Sequence, residues 1–242
     1  MVVAPQGTVS FSVEQAEVRL KNFSMKEVNF TLNKGDILGL VGQSGSGKST
    51  LLRTIIGEYK PYKGQIIAMV DGQKVPPSRI IGYSPQENAL FPYLTLEENL
   101  LTFGELHGLS RKECKTRMAN VLADLHLLGS EKKRITQLSG GMQKRADLAV
   151  TLIHDPKIIV LDEPFNGLDI SLQKFLWEIL RKLASRGTIV IVSSHFLADI
   201  QVNCNKYGLI HKGIYYNTEQ IIKTIKNHAT LEAYLQSLFS ER

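Results

Sequence analysis

The sequence predicts an α/β protein, with a strand-rich first third and a mainly helical insertion over residues 95–130. Three observations carry that prediction. A glycine-rich loop, Gly42-Gln43-Ser44-Gly45-Ser46-Gly47-Lys48-Ser49-Thr50, directly follows the apolar run Ile37–Val41, the strand, loop and helix order that builds a phosphate cradle. Residues 157–161 and 188–193 are short continuous apolar runs, suited to strands buried on both faces of a parallel sheet. Between them Leu172, Phe175, Leu176, Ile179, Leu180 and Leu183 recur at helical spacing, a stripe that can cover one sheet face.

In chain order, the runs 17–23, 28–32, 37–41, 65–70 and 80–83 read as strands separated by turns. Residues 51–56 continue the helix opened at the glycine-rich loop, and Lys60-Pro61-Tyr62-Lys63-Gly64 breaks the chain before the next strand. From Thr95 the period changes. Thr95-Leu96-Glu97-Glu98 and Ser110-Arg111-Lys112-Glu113 each match a capping box, in which hydroxyl and carboxylate satisfy two orphan N–H groups at a helix start. A further helix is expected over 146–152. The tail from Thr230 carries Leu231, Tyr234, Leu235, Leu238 and Phe239, a short amphipathic helix expected to dock on its own domain.

At 242 residues the chain can bury a sizeable core. With 43% hydrophobic and 21% charged residues it is too apolar for disorder and too mixed for a fibre. A net charge of +6 suits phosphate-rich ligands, nucleic acid and anionic membranes alike, so it selects none. The one basic run, Lys132-Lys133-Arg134, reads as a solvated loop, and no nucleic-acid partner is expected. Cys114 and Cys204 lie far apart, unlike a disulfide scaffold, which fits a reducing compartment. The N-terminal residues lack a basic segment followed by a long apolar one, so no signal peptide is expected. No apolar stretch approaches the ~20 residues of a membrane span, so a membrane role would need a partner chain.

The chemistry-bearing residues fall into three groups. In the loop, glycines let backbone N–H groups converge on an anion and the following helix points its positive end there. Lys48 would reach the β- and γ-phosphates, and the Ser49 hydroxyl would ligate Mg²⁺. Asp162 and Glu163 end the buried run 158–163, at the carboxyl end of a strand where open α/β sheets bind ligands. Asp162 can hold Mg²⁺, and Glu163 can orient and deprotonate an attacking water. Between them, the turn Ser139-Gly140-Gly141 opens a helix and makes a second anion-binding end. With a single cradle in the chain, that turn would find its use across a two-fold dimer, capping the γ-phosphate held by the other copy.

These motifs, in this order, resemble the ATP-binding cassette family, the nucleotide-binding subunits of ABC transporters. The resemblance runs from about residue 17 to at least 213. Residues 42–50 are similar to its Walker A loop, 138–143 to its signature, 158–163 to Walker B with the catalytic glutamate, and 166–169 to the D-loop. Gln86 is similar to the Q-loop glutamine, which senses Mg²⁺ and the attacking water, and His195 to the switch histidine that contacts the γ-phosphate. The resemblance implies a P-loop NTPase core with a mixed sheet, an N-terminal antiparallel β subdomain and a helical subdomain. Residues 1–94 and 146–213 would form the core with its β subdomain, 95–145 the helical subdomain ending in the signature, and 214–242 a tail. Two departures stand out. The aromatic residue that the family places between its first two strands, to stack on adenine, has no clear counterpart, and Phe23 reads as a strand residue. Asn166 stands where the family's D-loop usually has serine.

The resemblance implies a Mg²⁺-dependent ATPase working as a head-to-tail homodimer. Ser139, Gly140, Gly141, Gln143 and Asp169 would then contact the nucleotide held by the other copy. It implies a separate transmembrane permease, docked near Gln86 and the helical insertion, and a peripheral place on the cytoplasmic face of the membrane. The segment Phe103-Gly104-Glu105-Leu106-His107-Gly108-Leu109 is similar to cassettes serving drug, polysaccharide and lipid exporters. The competing expectations are a non-transport cassette driving a soluble assembly, in iron-sulfur cluster building or DNA maintenance, and an ATP-gated switch with negligible turnover. The short insertion argues against DNA maintenance, and Glu163 against the switch.

Overall fold

The computed structural model describes residues 7–21, 23–195 and 197–225. In chain order its elements are β1 (Val9–Leu20), β2 (Phe23–Asn33), β3 (Ile37–Val41), α1 (Lys48–Ile55), β4 (Lys63–Val70), β5 (Gln73–Val75), α2 (Pro77–Ile80), β6 (Ile81–Ser84), α3 (Leu96–Leu106) and α4 (Arg111–Asp124). There follow α5 (Gly140–Leu152), β7 (Ile158–Leu161), α6 (Ile170–Ser185), β8 (Ile189–Ser194), α7 (Leu197–Asn203), β9 (Lys206–His211), β10 (Ile214–Asn217) and α8 (Thr218–Ile225). The strands form one mixed sheet in the order β5-β4-β1-β2-β10-β9-β3-β8-β7-β6.

Two halves of the sheet follow different rules. From β5 to β2 all pairings are antiparallel, whereas β9, β3, β8, β7 and β6 run parallel to one another. The junction is thin: β10 is antiparallel to β9 but meets β2 in the single parallel pair Ile214 and Lys26. The parallel strands carry the continuous apolar runs, and their period of two divides the core. Leu38, Leu40, Ile158, Val160, Ile189 and Ile191 face one cluster, with α1 and the β1–β2 ribbon. Val41, Ile159, Leu161, Val190 and Val192 face the other, with α3 to α6. A one-residue slip would exchange the two sets, so burial on both faces pins the register.

The capping boxes form as written. Thr95 Oγ1 accepts from Glu98 N while Glu98 Oε2 accepts from Thr95 N at 2.7 Å, and Ser110 and Glu113 repeat the pattern at α4. Several expectations are corrected. The first strand starts at Val9, eight residues before the expected 17, because Val9, Phe11 and Val13 alternate with serines and bury one face. The run 17–23 spans the end of β1, a turn and the first residue of β2. Residues 214–217, expected as the start of a tail, are a strand within the sheet, and β5, β9 and α7 were not foreseen at all. The amphipathic helix expected from Thr230 lies outside the described residues.

Candidate active site

The loop after β3 turns back on itself, with Ser46 N donating to Gln43 O at 3.1 Å, and enters α1 at Lys48. Gly47 sits just before α1 with φ of 109°, a conformation open to glycine, and a Cβ there would lie 2.2 Å from the Phe23 ring. The Lys48 side chain is 7% exposed, and its ammonium donates to Gly42 O at 2.7 Å and Gln43 O at 3.2 Å. Ser46 Oγ is buried without a hydrogen-bond partner. A polar atom so placed is costly unless a ligand meets it.

Across the cleft, β7 delivers Asp162 and Glu163, 2% and 8% exposed. The neighbouring strand β8 fixes both through one side chain. Ser193 Oγ donates to Asp162 Oδ1 at 2.6 Å and accepts from Glu163 N at 2.8 Å. The second bond holds Glu163 at φ of 48°, a left-handed backbone costing about 1–3 kcal/mol for a residue with a Cβ. That twist turns its carboxylate away from the strand and over the loop. There Oε1 lies 3.1 Å from Lys48 Nζ, and Oε2 accepts from His195 Nδ1 at 2.9 Å. A cation from the cradle, a carboxylate from β7 and an imidazole following β8 thus meet at one point.

They open into a cleft of about 530 Å³, lined by Ser44, Gly45, Gly47, Lys48, Ser49, Thr50, Gln86, Glu163 and His195, with Asn166 and Phe23 at its walls. Gly42, Gln43 and Ser46 build the loop without lining the cleft, and Asp162 lies just behind Glu163. The second group of expected residues sits elsewhere. Ser139 caps α5, its Oγ accepting from Met142 N at 3.3 Å, and Ser139 and Gly140 are exposed. Gln143 Nε2 donates to Ile135 O and Leu138 O, and so braces the approach to that helix start. Asp169 caps α6 by accepting from Leu172 N at 2.9 Å, and its bond from Ser171 Oγ leads the causes that lower its pKa. None of Ser139, Gly140, Gly141, Gln143 and Asp169 lines the cleft.

Sequence reasoning missed two contributors. Ser193 closed an apolar run and carried no signal, since its importance is a register match with β7. Phe23 is a strand residue as expected, but its ring also walls the cleft against Gly47, which supplies an aromatic surface the sequence had not located.

The fold and cleft together define a P-loop protein of the nucleotide-binding type. A family model described as ABC transporter matches residues 25–166, and the chain belongs to that family. It is 34% identical over 196 residues to the linearmycin resistance ATP-binding protein LnrL of Bacillus subtilis, covering 80% of this chain and 63% of that protein. It is 33% identical over 195 residues to the Nod factor export ATP-binding protein I of Bradyrhizobium diazoefficiens, covering 78% and 63%. The chain therefore spans less than two thirds of the length of these curated relatives. Among solved structures, an ATP binding subunit of an ABC transporter superposes with a TM-score of 0.80 at 25% identity, covering 93% of this chain and 98% of that one.

Proposed function

We propose that the chain is the ATP-hydrolysing subunit of a membrane exporter. The observation that carries this reading is the convergence of Lys48, Glu163 and His195 over the cradle. A triphosphate entering the cleft offers Lys48 and His195 a better partner than Glu163, and both move to the γ-phosphate. The released Glu163 carboxylate accepts a proton from a water that attacks γ-phosphorus in line, the bond to the β,γ-bridging oxygen breaks, and ADP and phosphate result. Ser49, Gln86 and Asp162 present a hydroxyl, an amide and a carboxylate, the hard oxygen set that suits Mg²⁺. Held by these residues, the ion would supply charge neutralisation to the phosphates.

The exposed Ser139 and Gly140 at the start of α5 support a head-to-tail homodimer, in which Ser139, Gly140, Gly141, Gln143 and Asp169 meet the other copy's nucleotide. Within one nucleotide-binding domain, the core with its β subdomain takes in the whole sheet, 214–217 included, and 95–145 form the helical subdomain. Among the described residues no helix is long and apolar enough to cross a membrane. The relatives' names, ATP-binding proteins of a resistance and an export system, support a separate permease chain and a place for this subunit on the cytoplasmic face. Export is favoured by the names of the relatives, which act in linearmycin resistance and Nod factor export. The test is copurification from native membranes with and without ATP. A stoichiometric polytopic membrane protein is expected, and a soluble or nucleic-acid partner in its place would overturn the transport reading.

A further inference from the structure

Midway along α5, Asp147 is fully buried among Ala146, Leu148, Ala149 and Val150. A carboxylate in such a place must be satisfied. Its Oδ2 accepts from the Ser84 hydroxyl and its Oδ1 accepts from Ala89 N at 3.0 Å. Ser84 is the last residue of β6, and its carbonyl accepts from Asp162 N at 2.9 Å. The two anchor points therefore bracket Pro85-Gln86-Glu87-Asn88, and a single carboxylate closes the loop that brings Gln86 to the cleft. Gln86, Glu87 and Asn88 are all exposed, so the loop has little packing of its own to hold it. Burial pushes the Asp147 carboxyl above its ordinary range, opposed by the Ser84 hydroxyl, the Ala89 amide and the Lys144 ammonium. An apolar side chain would fill this face at lower cost, so the two bonds to the loop are what the carboxylate adds.

We propose, on the basis of the ATPase reading above, that Asp147 is a positioning residue that clamps both ends of the Gln86 loop to α5. The helix that begins at the Ser139 turn then sets where Gln86 stands over the cleft. Gln86 reaches the reacting groups only if its loop is held, so loss of the clamp acts on turnover more than on nucleotide binding, which the cradle supplies.

Two substitutions separate the clamp from simple packing. Asp147→Asn keeps an acceptor for Ala89 N–H and turns its amide nitrogen toward Ser84 Oγ. Asp147→Leu keeps the branched skeleton and removes both bonds. In the full chain, thermal unfolding, amide hydrogen exchange of residues 84–91 without nucleotide, ATP affinity and MgATP turnover are measured for each. The Leu variant is expected to melt cooperatively, to exchange over 84–91 roughly tenfold faster, and to lose about tenfold in kcat with ATP affinity within about twofold. The Asn variant is expected to match the wild type in all four. Wild-type loop exchange or undiminished kcat in the Leu variant would overturn the clamp, as would an Asn variant equally impaired. Should the Leu variant not fold, Ser84→Ala removes one strut without touching α5, and unchanged exchange there overturns the proposal. Glu163→Gln is run alongside. Absence of MgATP turnover in the wild type overturns the ATPase reading itself, native turnover in the Gln variant removes Glu163 from the chemistry, and lost turnover there beside an unaffected Leu variant overturns the clamp alone.

Discussion

Replacing Glu163 by Gln keeps the size of the side chain and removes its charge and basicity, so its two effects can be worked out separately. Glu163 Oε1 and Lys48 Nζ are 3.1 Å apart, with both side chains less than a tenth exposed. At an effective dielectric of ~20 that contact carries about 5 kcal/mol of gross attraction before desolvation. Lys48 also donates to Gly42 O and Gln43 O, which stay in place, so the net loss is about 1.5–3 kcal/mol, the range for one hydrogen bond to a charged group. Incoming ATP must break this contact in the native protein and not in the variant. Nucleotide affinity should accordingly rise by roughly 10- to 150-fold, at about 1.4 kcal/mol per tenfold. Turnover should fall by about 10² to 10⁴, the usual contribution of a positioned general base. Affinity is read by equilibrium binding of ATP without Mg²⁺, turnover as phosphate release at saturating MgATP, and oligomeric state by size exclusion with MgATP, where a trapped dimer is expected. Turnover within about threefold of native would remove Glu163 from the chemistry. Unchanged affinity would show that the ion pair does not oppose nucleotide entry.

Three further outcomes follow from the same geometry. Ser193→Ala breaks both bonds that seat Asp162 and Glu163, and should lower kcat about 10- to 100-fold with a stability loss of about 1–3 kcal/mol, while Ser193→Thr restores turnover; equal kcat in the Ala variant would dismiss the seating argument. Phe23→Ala strips the aromatic wall beside Gly47 and should weaken ATP binding by about 1–3 kcal/mol if the base stacks there, with Phe23→Tyr near wild type; unaltered affinity in the Ala variant places the base elsewhere. His154 stacks on His107 at 3.7 Å between ring centroids, and burial first, then His107, lower its pKa to about 4. A pKa depressed in the folded state means stability that is full above the unfolded value near 6.5 and is lost as pH falls toward 4, at most about 3 kcal/mol. Chemical denaturation between pH 7 and 4 should show that slope, and His154→Phe should flatten it; an unchanged slope would assign it to other groups.

Local chemistry wrote much of this molecule directly into its sequence. The cradle is one contiguous segment whose glycines, lysine and serine need only a preceding strand and a following helix, so residues 42–50 were legible without a partner. The capping boxes at Thr95 and Ser110 close within four residues, and the runs before Asp162 and after Thr188 are apolar because both faces of a parallel strand are buried. Elements that depend on distant neighbours were invisible. β9 and β10 are ordinary stretches until β3 and β2 pair with them, and β1 extends back to Val9 because β4 pairs with it continuously from Val9 to Glu14.

The same division governs the site. Lys48 and Glu163 could each be named from its own motif, but their contact at 3.1 Å follows from β3 and β7 both flanking β8, which the chain decides only when the sheet forms. Ser193 and Asp147 look like a strand-end hydroxyl and a helix carboxylate in sequence. Their roles come from register: β8 aligns Ser193 beside the carboxylates of β7, and α5 packs on β6 so that Asp147 meets Ser84 and Ala89. Sequence alone thus determined which chemical groups the protein owns and how each segment folds, because those depend on neighbours a few residues away. Only the tertiary structure decided which groups touch, because a hydrogen bond between residues 63 positions apart exists only once burial has fixed the register of the strands and helix that carry them.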